Sequence, residues 1–156
     1  MIQLIYLYPM ERLMTYFKDE AELQQILGQL YDLVKTDARV GPRICEGKIV
    51  IQFRYEEPFG IATIDAAHPP TQPGAYCDVH WGEVELKPDV MMSMKADIAH
   101  QFWHGKINLM AALTRKQIIA KGPIPKILKL LPAVEPVYKM YPKMLREIGR
   151  EDIALK

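Results

Sequence analysis

The feature that most constrains this chain is an alternating run near its middle. Ile49, Ile51, Phe53 and Tyr55 alternate with Lys48, Val50, Gln52 and Arg54, so a strand here turns one strongly apolar face to one side. Glu56-Glu57-Pro58 is too short to cross a sheet, which predicts that Phe59–Ala66 pairs back antiparallel. A hairpin with one apolar face must be covered, and the flanking sequence offers cover at helical period. Residues 10–36 read as helical, with Leu23, Ile26, Leu27, Leu30 and Val34 on one stripe. Asp19 followed by Glu22 suits a capped start, leaving Met10–Lys18 as a separate short helix, and Gly41-Pro42 closes the region.

Beyond the hairpin, His68–Gly74 is a loop by composition, and Ala75–Trp81 and Asp89–Lys95 read as strands. Val84–Leu86 suits either kind of element. Asp97 is placed to cap a short helix that stops at Gly105, and Asn108 begins another that runs to about Arg115. Ile118-Ile119 marks one more strand, ended by Gly122-Pro123. Ile124, Ile127, Leu128 and Leu131 then form a short helical stripe; Val134, Val137, Tyr138, Tyr141, Leu145 and Ile148 form a longer one. Proline inside a helix costs ~3 kcal/mol, so a break or kink is expected at Pro142. Helix, antiparallel strands, helices, strand and helices in that order make an α+β chain, not a doubly wound sheet.

With 156 residues, 49% of them apolar and 25% charged, the chain suits one ordered domain with a real core. No run approaches the ~18 apolar residues of a spanning helix. Met1–Met10 has no basic region or cleavage site of a signal peptide, and Cys45 and Cys77 are the only thiols. A cytoplasmic location is therefore the expectation. The net charge of +1 hides an asymmetry: residues 1–105 hold nine Lys/Arg against fifteen Asp/Glu, residues 106–156 eleven against four. Solvated helix faces account for this in the ordinary case; the sharper reading is transient contact between the basic C-terminal third and an anionic membrane surface. The basic residues lie among prolines and aliphatics, without a nucleic-acid-binding signature, so no nucleic acid partner is expected.

Motifs for chemistry are sparse. His100 and His104 stand four apart on one helix face, and Cys77–His80 has metal-ligand spacing. Residues three apart on a strand point to opposite faces, however, and the helix lacks the glutamate of H-E-x-x-H. No metal and no cofactor are expected; a small hydrolase or metal enzyme using His100, His104 and His80 is the alternative. Asp65 or Asp78 paired with a histidine offers general acid–base chemistry only in the sense that any small protein does. Ser93, the sole serine, has no nucleophile elbow, and no glycine-rich phosphate loop occurs. Flexible apolar surface is abundant instead, with methionines at 91, 92, 94, 110, 140 and 144. Three amphipathic helices after residue 96 need apolar partners, so the chain either dimerises or encloses a cavity that a ligand completes.

Residues 89–131 resemble the sterol carrier protein type-2 family. The resemblance rests on Asp89–Lys95, Ala96-Asp97, Phe102, Gly105-Lys106, Asn108, Ala111-Ala112, Lys116–Ala120, Gly122 and Lys129-Leu130, in that order. Phe17 through Val34 is similar to the family's first helix, and Gly47–Tyr55 with Ile61–Asp65 to its first hairpin. The likeness covers about residues 16–131, with a C-terminal helical extension over 132–150. It implies a five-stranded, mainly antiparallel sheet, helices on one face, and an enclosed apolar tunnel. It further implies non-enzymatic binding or transfer of fatty acids, fatty acyl-CoA, phospholipids or sterols.

Transferring the family's element positions makes Phe102, Trp103, Met110, Leu113, Ile118, Ile124, Ile127, Leu128 and Leu131 the candidate lining. Val90, Met92 and Met94 share one strand face and would form its floor. Val137, Met140, Tyr141 and Met144 would close over the mouth as a lid. Lys116, Lys121, Lys126 and Lys129 would meet an acidic head group there. Monomer and homodimer both remain open at this point.

Overall fold

The computed structural model describes residues 15–156. The first ten residues and most of the short helix expected over Met10–Lys18 lie outside the described residues; Thr15–Asp19 is irregular. Helix α1 (Glu20–Thr36) starts as expected, with the Asp19 side chain accepting from the Glu22 N–H at 2.9 Å. It buries the stripe Leu23, Ile26, Leu27, Leu30 and Val34 together with Tyr31. Gly41-Pro42 does not merely close this region. It opens a short helix, α2 (Gly41–Cys45), because proline early in a helix has no N–H bond to lose.

Strands β1 (Val50–Glu56) and β2 (Gly60–Asp65) form the expected hairpin, with Phe53 opposite Ala62. β3 is shorter than Ala75–Trp81 and spans Asp78–Trp81; β4 is Val90–Lys95. Residues 84–86 join no helix or strand. Helices α3 (Ala96–Trp103) and α4 (Leu109–Thr114) follow, then β5 (Ile118–Lys121), α5 (Ile124–Val134), α6 (Val137–Glu147) and a single 3₁₀ turn, Glu151–Ile153. Asn108 caps α4 by accepting from the Ala111 N–H at 2.9 Å. Asp97 is not a cap; it lies inside the first turn of α3 and accepts from the Tyr16 N–H at 3.1 Å, tying the chain ahead of α1 to α3.

The sheet order is β3-β2-β1-β4-β5. Three neighbouring pairs are antiparallel, but the central pair, β1 with β4, is parallel, so the sheet is mixed. Asp89 sets that parallel register: its carboxylate accepts from the Val50 N–H at 2.8 Å while its own N–H donates to the Val50 carbonyl at 2.9 Å. Gly122 holds the turn between β5 and α5 at φ 113°, and a Cβ there would meet the Asp89 carbonyl oxygen at 2.3 Å.

One sheet face carries Ile51, Phe53, Tyr55, Val90, Met92, Met94 and Ile118 toward the helices. The other is polar. There the Gln52 amide donates to the Thr63 hydroxyl at 3.0 Å, and Arg54 donates to the Gln52 carbonyl at 2.9 Å. A connected set of buried apolar side chains runs from Phe17 to Ile153. Of the break or kink expected at Pro142, the break does not occur: α6 runs through the proline, with Tyr141, Met144 and Leu145 on either side of it buried. The interruption falls instead between α5 and α6, at Glu135-Pro136. No helix among the described residues is long and apolar enough to cross a membrane.

Candidate functional site: an apolar cavity behind helix α5

The inner sheet face and the helices do not close perfectly. Between them lies a cavity of about 80 Å³ whose wall is almost wholly apolar. Its floor is Ile51, Phe53 and Tyr55 of β1, Ile64 of β2, Met92 and Met94 of β4, and Ile118 of β5. Tyr31 and Val34 of α1 and Ile44 of α2 form one side; Ala99, Phe102, Trp103 and Leu109 form another. Ile127, Leu130, Leu131 and Val134 of α5 close it. Of the α5 stripe only Ile127 is fully buried, so this helix is the thinnest part of the wall, and its main packing partner is the short helix α2.

Seven of the sequence-derived candidates therefore meet here: Met92, Met94, Phe102, Trp103, Ile118, Ile127 and Leu131. The others lie elsewhere. Val90 shares the inner face but is sealed in the core away from the cavity, and Leu113 is half-buried at the core's edge. Met110 is 53% exposed, because α4 turns Leu109 and Ala112 inward instead. Ile124 and Leu128 are half-buried on α5 outside the cavity wall.

The lid set is placed differently. Val137, Tyr141 and Met144 are core residues of α6, which packs on α1 and α3. Met140 borders a surface cleft with Arg39, Arg43, Lys139 and Lys143. The expected lysine cluster does not converge: Lys116 sits in a shallow groove beside Ser93 and Lys95, Lys121 ends β5, and Lys126 and Lys129 are exposed on α5. Sequence reasoning missed the contributions of α1, α2, β1 and β2. Tyr31, Val34, Phe53 and Tyr55 stand on apolar stripes, but a stripe does not reveal which of its members faces a void.

Within the wall, the Tyr31 and Tyr55 hydroxyls hydrogen-bond to each other, and both side chains are fully buried. Burial pushes the Tyr31 phenol up to about 12, against the opposing effect of hydrogen bonds with Tyr55 and Trp103, and raises Tyr55 well above its ordinary value. Both are neutral near pH 7.

His100 and His104 have structural work. His100 Nε2 lies 2.7 Å from the Ile153 carbonyl, an acceptor, so Nε2 carries the proton and Nδ1 accepts from the Tyr141 hydroxyl at 2.8 Å. His104 Nδ1 donates to the His100 carbonyl at 2.8 Å, and its Nε2 accepts from the Leu155 N–H at 3.1 Å. All four ring nitrogens are committed. Burial drops the His100 pKa to about 4 and lowers that of His104.

Among the described residues no three His, Cys, Asp or Glu side chains form a metal-ligand group. Asp65 caps its own loop, accepting from the Ala67 and His68 N–H groups, and pairs with the His68 ring at 3.0 Å. Asp78 accepts from the Thr71 and Gln72 N–H groups; burial raises its pKa, but these bonds outweigh it and hold the carboxyl below the usual range. Burial pushes the Cys77 thiol up to about 12, away from the reactive thiolate.

No family model matches the sequence, and comparison with curated proteins finds no match. Solved structures do match. Sterol carrier protein 2 from Yarrowia lipolytica, in its apo form, aligns with TM-score 0.54 at 14% identity, over 69% of this chain and 88% of that one. The sterol carrier protein domain 2 of Helicoverpa armigera aligns with TM-score 0.55 at 16% identity, over 73% and 88%. The fold is that of sterol carrier protein 2. A sterol carrier protein 2-like protein from Aedes aegypti agrees, with TM-score 0.51 at 18% identity over 69% and 92%. At these identities the shared property is the sterol carrier protein 2 architecture itself, and the side chains that line the cavity are this chain's own.

Proposed function

We propose that this chain binds the apolar part of a lipid in the cavity behind α5 and hands it between membranes without chemistry. The classes that suit it are fatty acids, fatty acyl-CoA, phospholipids and sterol-like molecules. The observation that carries the reading is the wall itself: an almost wholly apolar enclosure drawn from every layer of the fold. Burying a chain of about a dozen carbons contributes roughly 10 kcal/mol at ~0.8 kcal/mol per methylene, before ordering costs.

The cavity of about 80 Å³ is far below the ~300–1,000 Å³ of a drug-sized site. A guest therefore enters by moving α5 away from α2, which widens the cavity along the side where the wall is thinnest. Arg39, Arg43, Lys139 and Lys143, with Glu135 among them, line the surface cleft beside this seam; Arg43 is next to Ile44 of the wall, and Pro132 in the same cleft is next to Leu131. The four basic side chains are the group that would meet an anionic bilayer surface, an attraction that salt screens.

Native mass spectrometry of freshly purified protein, with extraction of the bound material, tests the reading directly. A lipid adduct and saturable displacement of a fluorescent fatty-acid probe are expected. Vesicle association should weaken at high ionic strength while chain affinity hardly changes. Protein that emerges lipid-free and takes up no fatty probe would overturn the proposal.

A further inference from the structure

The only two thiols of the chain meet, although they lie far apart in sequence. Cys45 is the last residue of α2, and Cys77 immediately precedes β3. Both are free. The segment Tyr76-Cys77 runs between α1 and α2, with the Tyr76 N–H donating to the Lys35 carbonyl at 2.8 Å. Gly41 at the start of α2 lies against the Tyr76 ring so closely that a Cβ there would meet a ring carbon at 2.4 Å. Glycine is what lets α2 come this near. At the far end of α2 the Cys45 thiol donates to the Tyr76 carbonyl at 2.7 Å, one residue from Cys77. The two cysteine side chains are within hydrogen-bond reach, and each bears on the other's ionisation.

Their exposure gives them different roles. Cys77 is 1% exposed, so a dissolved reagent does not meet it first, whereas Cys45 is only half-buried. We propose that Cys45 and Cys77 close a disulfide when a low-molecular-weight disulfide such as oxidised glutathione is supplied, and that the bond fastens α2 to the lead-in of β3. In the first step the Cys45 sulfur sheds its proton and attacks one sulfur of the reagent, whose S–S bond breaks and releases one glutathione thiolate. In the second the Cys77 sulfur sheds its proton, attacks the Cys45 sulfur of the mixed disulfide and expels the other glutathione thiolate. Two protein thiols are oxidised, one reagent disulfide is reduced to two thiols, and the two protons end on the leaving thiolates. Cys77 completes the exchange without solvent access because it is already held beside its target. Burial raises both protein thiols above their ordinary range, so the uncatalysed exchange takes minutes to hours.

The bond would act on the cavity from the side. Ile44, next to Cys45, is part of the cavity wall, and α2 is the main packing partner of α5. Tying α2 to the sheet fixes that side and leaves α5 as the side free to move. The bond itself does not depend on what the cavity holds.

The test treats the whole chain with oxidised glutathione and follows it by non-reducing mass spectrometry. The expected product is a monomer lighter by two hydrogens, with no free thiol and with the peptides bearing Cys45 and Cys77 joined. It should melt about 5–10 °C higher than the reduced protein, since the bond closes a long loop of the unfolded chain, and a reductant should reverse the shift. Cys77→Ser should stop at the glutathione adduct on Cys45, and Cys45→Ser should leave Cys77 unmodified. A wild-type chain that stops at the adduct, links two copies or keeps both thiols overturns the inference, as does an internally bridged chain that melts no higher. None of these readouts involves a guest, so the result is separate from that of the lipid-binding reading.

Discussion

Helices α5 and α6 look like twins in sequence. Each spans eleven residues, each holds a proline inside, and each carries an amphipathic stripe in the basic C-terminal third. Their burial differs. On α6, Val137, Tyr141 and Leu145 are completely enclosed, and the Tyr141 hydroxyl is anchored to His100. On α5 only Ile127 and Ala133 are buried, and the rest of the stripe is shared between solvent and the cavity. An apolar stripe thus states a need for cover but not how completely it is met. α6 faces two other helices and became core; α5 faces a void and became its wall.

The largest effect that tests this contrast should come from α6. Leu145→Ala removes a fully enclosed side chain and should lower unfolding stability by about 2–5 kcal/mol in urea titrations. The matching change on the cavity wall, Leu131→Ala, should cost about 1 kcal/mol or less, because that leucine already borders empty space. Equal losses at the two sites would erase the distinction between core and wall.

The anchor beneath α6 gives the next prediction. The His100 pKa is lowered from 6.5 in the unfolded chain to about 4 in the folded protein, so between these values the unfolded state binds the extra proton. Stability is therefore full above about pH 6.5 and is lost as pH falls toward 4, by on the order of 3 kcal/mol. Urea midpoints measured across that window should show the slope, and His100→Gln should reduce it to the part owed to His104, whose pKa burial also lowers; a slope unchanged by the substitution would assign it to other groups.

The smallest stability change is expected from filling the cavity. Leu131→Phe adds bulk where the wall borders space, so stability should move by about 1 kcal/mol or less, while saturable binding of a fatty-acid probe weakens severalfold. Unaltered probe binding would place the guest somewhere other than behind α5.

Local signals made much of this molecule legible. The alternation of Ile49–Tyr55 fixed β1 and its inward face, and the turn at Glu56-Glu57-Pro58 fixed the hairpin. Asp19 and Asn108 marked helix starts because a side-chain oxygen meets free N–H groups within three residues. The order of elements over residues 89–131 was enough to expect the sterol carrier protein 2 architecture. Seven of the cavity-wall residues were also expected, Met92 and Met94 from their shared strand face and the other five from the resemblance's element positions.

What only the tertiary structure decided involves partners distant in the chain. The parallel pairing of β1 with β4 depends on Asp89 reaching Val50, and the continuity of α6 through Pro142 depends on buried neighbours that outweigh the missing hydrogen bond. The same holds for the division between lining and core. Periodicity reports how apolar a face is, and a side chain against a void is as apolar as one against another side chain. Which of the two it meets depends on how closely distant elements approach, and only the folded chain sets that distance.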